Sequence, residues 1–210
     1  MLPMEWAKGI INKCFDRGLE KVLKSEFHTA IVSDWERDNY SFLKEQDLDT
    51  ASGATKFCLI SDNLGWVIKA GFNVKDYMNG KIIDFCEIEY KNYLEACKEK
   101  LDKFFAPIFF IGNFNGFNFY LQEKEDMDEG AIEESLERYY SSEYESDELD
   151  SFYWDDLDDE ERVVAILGDE KDVGRLLDFI SERNINDLHS ANWGINEGGD
   201  AVLIDYSGYF

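Results

Sequence analysis

Basic residues are scarce in this sequence: Lys and Arg number 21 against 46 Asp and Glu, giving a net charge of −25. A chain this anionic repels nucleic-acid phosphates and anionic lipid, so neither is expected as a partner. Long apolar runs are missing as well. No stretch reaches membrane-spanning length and the first residues do not read as a signal peptide, which points to the cytoplasm. The four cysteines, Cys14, Cys58, Cys86 and Cys97, show no CxxC or Cys/His spacing. That spacing excludes a zinc site and suits a reducing compartment, with all four acting as small apolar residues. Of the two histidines, His28 is given no role and His189 is read as a hydrogen-bonded structural residue.

What is present is enough to fold. With 210 residues, 44% hydrophobic and 15% aromatic, the chain can fill one large domain or two small lobes. The charge is concentrated rather than spread: 19 acids lie between Glu123 and Glu161, with only Lys124 and Arg138 among them. That segment also carries Tyr139, Tyr140, Phe152, Tyr153 and Trp154, too many aromatics for a solvated tail, so helices interrupted by a loop are expected there.

Periodicity organises the remainder. Residues 1–50 read as a helical segment in which Trp6, Ile10, Ile11, Cys14 and Phe15 form a packing face. Residues 51–122 read as strand, strand, helix, strand, strand. The first hairpin runs over Phe57 to Ile60 and Trp66 to Ala70 about "SDNLG"; the second turns at Asn115 and Gly116, a strong hairpin signal. The helix between them carries Tyr90, Tyr93, Leu94, Cys97 and Leu101 at helical spacing. Residues 123–210 contain the acidic segment, a helix with Val173, Leu176, Leu177 and Ile180, and a closing hairpin in which "WGI" and "AVLID" flank "NEGGD".

Five polar residues fall into a pattern. Asp187 and Asn192 stand as D-x-x-x-x-N, and Asp205 ends the strand "AVLID" eighteen residues after Asp187; Lys69 lies in "WVIKAG", with Glu87 eighteen residues beyond it. In this order and spacing the chain resembles the protein kinase-like superfamily over residues 50 to 210. Its "NDLHSAN" loop is more similar to the aminoglycoside and choline kinase-like branches than to the eukaryotic protein kinases.

The resemblance implies an α+β fold of two lobes, with a small antiparallel sheet and a reduced helical second lobe. It also implies ATP and magnesium as cofactors. Lys69 would neutralise the α and β phosphates while Glu87 holds its ammonium, and Glu87 is preferred over Glu89 because Ile88, Tyr90 and Leu94 then form the inner helix face. Asn192 and Asp205 would bind the metal, and Asp187 would orient or deprotonate the acceptor hydroxyl. Ser52, Gly53 and Thr55 would meet phosphate through the backbone, and Gln122 and Glu123 complete the nucleotide-binding set.

Departures from the family pattern are informative. Only Gly53 stands where two or three glycines are common, Tyr206 and Ser207 follow Asp205 with Gly208 one place late, and Ile185 occupies a position commonly held by histidine. The sequence also stops five residues after Asp205, leaving the acceptor half of a kinase largely unaccounted for. Residues 123 to 184, or a protein partner, are expected to supply that half. The aromatics between 139 and 154 are expected to cover the second lobe and leave the chain a monomer. The alternative expectation is a non-catalytic pseudokinase or an acidic decoy for a basic partner.

Overall fold

The computed structural model describes residues 2–25, 28–72, 74–75, 80–126, 158–168, 171–186 and 188–208. It is an α+β protein with an antiparallel sheet. The chain divides into two units, one from Met1–Lys91 and Pro107–Lys124, the other from Asn92–Ala106 and Glu125–Phe210.

The first unit opens with three helices, α1 (Pro3–Phe15), α2 (Leu19–Leu23) and α3 (His28–Glu45). Pro3 starts α1 at a position where a missing N–H costs nothing. The predicted face of α1 is the buried one: Ile10, Ile11 and Cys14 are enclosed, joined by Ala7, with Trp6 and Phe15 packed at its margin.

Five strands follow: β1 (Asp49–Ser52), β2 (Lys56–Ser61), β3 (Trp66–Gly71), β6 (Ile108–Phe114) and β7 (Phe117–Glu123), in spatial order β1-β2-β3-β7-β6. Two-residue strands β4 (Val74–Lys75) and β5 (Ile82–Ile83) pair separately. Both predicted hairpins are present, and Asn115 and Gly116 take positive φ values of 52° and 90° in the second, as a tight hairpin turn requires. Strand β1 was not expected. "DTAS" offers no apolar alternation because it is an exposed edge, held by its ladder to β2.

Alternation divides the sheet into two chemically different faces. Phe57, Leu59, Ile68, Ala70, Phe119 and Leu121 enter one cluster with the buried residues of α1, α2 and α3. The intervening residues, Lys56, Cys58, Lys69, Tyr120 and Gln122, take the other face.

Helix α4 (Phe85–Glu99) starts at Asp84, whose carboxylate accepts the Glu87 amide at 3.1 Å as a cap. The expected packing stripe holds only in part: Leu101 is buried and Tyr90 and Tyr93 are half-buried, but the rest is corrected by the structure. Leu94 and Cys97 are exposed, while Cys86, Glu89, Asn92 and Ala96 are buried. Glu89 and Asn92 are buried because polar partners meet them, so hydrophobic spacing pointed about a quarter-turn away from the enclosed face.

In the second unit, α5 (Asp159–Leu167) begins with a reciprocal capping box between Asp158 and Glu161. It is followed by α6 (Val173–Glu182), which buries Val173, Leu176, Phe179 and Ile180. The closing hairpin is β8 (Trp193–Ile195) with β9 (Ala201–Leu203). Its core includes Trp193, Leu203, Phe105 and Tyr206, all nearly inaccessible. The aromatics from Tyr139 to Trp154, and the helices expected around them, lie outside the described residues.

Candidate active site

Lys69 sits on β3, opposite Cys58 of β2 and Tyr120 of β7, and is 6% exposed. Its ammonium meets a helix glutamate, and that residue is Glu89, not Glu87. Lys69 Nζ lies 3.3 Å from Glu89 Oε2. Glu87 is instead half-exposed and pairs with Lys91 at 2.7 Å along its own helix. The physical reason is the face of α4 just described: Glu89 lies in line with Cys86 and Asn92, the residues the helix encloses.

A second lysine reaches the same carboxylate. Lys56 Nζ lies 2.6 Å from Glu89 Oε1, with both side chains buried. Sequence reasoning missed Lys56, although the alternation of "KFCLIS" with "WVIKAG" puts it in phase with Lys69. Close by, Asp84 accepts Glu87 N at 3.1 Å and Asn118 Nδ2 at 3.2 Å, and burial raises its carboxyl above the ordinary range. Burial likewise raises the Cys86 thiol well above its usual value, followed in effect by the charge of Glu89. Cys86 and Cys14 are enclosed as the sequence suggested, whereas Cys58 is only partly buried and Cys97 is exposed.

The segment before β2 is less specialised. Ser52 and Gly53 are exposed, and the Gly53 amide donates to the Lys56 carbonyl at 3.1 Å, so that amide closes the turn. A side chain at Gly53 would meet nothing within 4 Å. Thr55 is half-buried, and its carbonyl accepts from Phe72. On β7, Gln122 pairs in register with Val67 and Ile108 and is 2% exposed, and its Nε2 has no hydrogen-bond partner among the described residues. An enclosed amide donor without an acceptor is uncommon, and Arg162 Nε is in the same position among the described residues. Glu123 ends the strand at the surface, with its backbone amide on the Pro107 carbonyl.

The second unit carries the remaining residues. Asn192 immediately precedes β8, and its carbonyl accepts the Ile204 amide at 2.9 Å. Asp205 is the next residue after Ile204, so the open end of the β8-β9 hairpin brings Asn192 and Asp205 to neighbouring register positions. Ser207 Oγ donates to Asp205 Oδ1 at 3.3 Å. Asp187 lies outside the described residues. Its described neighbours Ile185 and Leu188 are buried, and the Leu188 carbonyl accepts Trp193 Nε1 at 3.3 Å.

The residues after Asp205 are firmly held. Tyr206 donates its hydroxyl to the Ala106 carbonyl at 2.8 Å, stacks edge-on against Phe105, and accepts Asn92 Nδ2 at 2.9 Å on its own carbonyl. Gly208 has φ 71°, and a Cβ there would approach the Asn184 carbonyl oxygen to 2.1 Å. The late glycine is thus demanded by a close backbone approach.

Among the described residues, no three His, Cys, Asp or Glu side chains group as a metal centre. No helix among them is long and apolar enough to cross a membrane. A groove of about 630 Å³ lies along α3 and β1, lined by Glu36, Arg37, Tyr40 and Thr50 among others, and contains none of the residues above. No protein-family model matches the chain and no curated protein matches it, so the functional reading rests on these side chains and their geometry.

Proposed function

We propose that this chain is a minimal kinase-like phosphotransferase that binds ATP and magnesium, with the first unit serving as the nucleotide-holding lobe. The observation that carries this reading is the buried ion pair between Lys69, on the third strand of an antiparallel sheet, and a glutamate of the helix that follows. That context is the one in which the kinase lysine motif has chemical meaning.

The hairpin end adds support, because Asn192 and Asp205 offer the hard oxygen donors magnesium takes. Such sites use one or two protein carboxylates or carbonyls and leave the remaining positions to phosphate and water, so two donors fit the group. Bound there, the cation would neutralise phosphate charge. Lys69 binds the α and β phosphates, Glu89 keeps its ammonium aimed, and the orphan amide of Gln122 offers a donor to the ligand. Asp187 orients the acceptor hydroxyl and takes its proton. The acceptor is a small molecule or protein of unspecified class, and the protein acts as a cytoplasmic monomer that engages neither nucleic acid nor membrane.

Calorimetry with ATP should show binding that depends on magnesium and is lost in Asp205→Ala, because an uncompensated carboxylate repels the triphosphate. Asp187→Asn should keep the affinity and abolish transfer. Equal affinity in wild type and Asp205→Ala would overturn the site. Binding without transfer would favour the pseudokinase reading, for which the undemanding geometry at Gly53 already speaks.

A further inference from the structure

Lys56 occupies the first position of β2, immediately after the turn at Gly53 to Thr55. In register, Cys58 faces Lys69 and Lys56 faces Gly71, so the two lysines lie on one face of the sheet, diagonal to each other on adjacent strands. Glu89 bridges them, one carboxylate oxygen to each ammonium, at 2.6 Å for Lys56 and 3.3 Å for Lys69. Of the two, Lys56 is the closer partner of Glu89.

Whatever further bonds each ammonium makes, burying two of them at 5% and 6% exposure carries a desolvation cost that one well-packed apolar pair would avoid. Costs of this kind are characteristic of sites that bind charge. Asp84 also overlooks this face, since a Cβ on Gly71 would meet its Oδ1 at 2.6 Å, but its oxygens are engaged by Glu87 N and Asn118. The turn beside Lys56 is poor in glycine, and one of its amides is committed to closing the hairpin. Phosphate-directed backbone donors are thus fewer here, and a side-chain cation stands at the same place.

We propose that Lys56 is a second polyphosphate-contacting lysine, acting with Lys69 from the common Glu89 carboxylate and taking over contacts that a glycine-rich loop would make through its backbone. This rests on the phosphotransferase reading for the identity of the nucleotide, but the anion site itself can be probed without one. Each lysine uses a different carboxylate oxygen, so a polyphosphate can address both ammonium groups while Glu89 keeps its hold on each.

The test titrates inorganic tripolyphosphate, without magnesium, into the full chain by calorimetry. Wild type should bind, and Lys56→Met and Lys69→Met should each weaken binding by about tenfold or more, the loss expected for one charge-assisted contact. Lys56→Arg, which keeps the charge though not the compact ammonium, should lose less than Lys56→Met. Wild-type affinity in Lys56→Met, or no tripolyphosphate binding at all, overturns the proposal. Should Lys56→Met fail to fold, NMR of lysine ammonium groups in the wild type decides: the Lys56 resonance should move on adding tripolyphosphate, and a Lys56 signal that stays fixed while Lys69 shifts overturns it. The two readings separate cleanly. ATP binding that needs Lys69 but ignores Lys56 removes this inference and leaves the function. Lys56-dependent tripolyphosphate binding with no gain from adenosine or magnesium removes the nucleotide function and leaves the anion site.

Discussion

The two faces of the five-stranded sheet are made by the same strands and obey opposite rules. One face presents Phe57, Leu59, Ile68, Ala70, Phe119 and Leu121 to α1, α2 and α3, and hydrocarbon burial alone accounts for it. The other face places Lys56, Lys69, Tyr120 and Gln122 in positions just as inaccessible, and there every enclosed polar atom raises the question of its partner. The apolar face tolerates any residue of suitable volume. Its polar counterpart depends on particular atoms, and such dependence is what a binding surface needs.

Truncation on the apolar face should have the largest effect. Phe57→Ala is expected to cost about 3–5 kcal/mol, measured by chemical denaturation, since it leaves a cavity between sheet and helices. A smaller but more discriminating effect is expected at Glu89. Glu89→Ala leaves two buried ammonium groups without their shared carboxylate and should cost about 3 kcal/mol, whereas Glu87→Ala should cost about 0.5 kcal/mol or less. Equal losses at the two positions would break the contrast between the enclosed and the exposed side of α4.

The smallest effect concerns Asp84 and pH. Burial raises its carboxyl from the ordinary 3.8, reinforced by the charge of Glu87, so the folded state holds its proton more tightly than the unfolded chain does. Stability from this group therefore falls as pH rises from the ordinary value through the raised one, and is level above it. Asp84→Asn keeps a good helix cap and removes the titration. The stability of wild type relative to Asp84→Asn should thus decline with rising pH across that window, and a difference that grows with pH would contradict the assignment. Asp84→Ala, which removes the cap itself, should lie about 1 kcal/mol below Asp84→Asn at any pH.

These contrasts also explain what could be read from the sequence. The hairpins at "SDNLG" and at Asn115-Gly116, the packing face of α1 and the closing strands were legible because turn chemistry and apolar spacing are local signals. Strand β1 was not, since an edge strand with exposed side chains carries no pattern beyond its backbone ladder. The choice of Glu87 over Glu89 failed for a related reason. Apolar spacing finds the buried side of a helix only when that side is apolar, and α4 turns Glu89 and Asn92 inward. Lys56 was overlooked because a lysine opening a strand reads as surface, and only the register with Lys69 reveals its face.

The three tethers on Tyr206 bear on the role proposed for Asp205. With the tyrosine hydroxyl, ring and carbonyl all fixed, and Gly208 seated against Asn184, the backbone on the far side of Asp205 is ordered as the chain folds. The entropy of arranging that segment is lost at folding and not again at each encounter. In the proposed site, a ligand arriving at Asp205 would meet a carboxylate on a settled backbone, so ordering this segment would add no further cost to association.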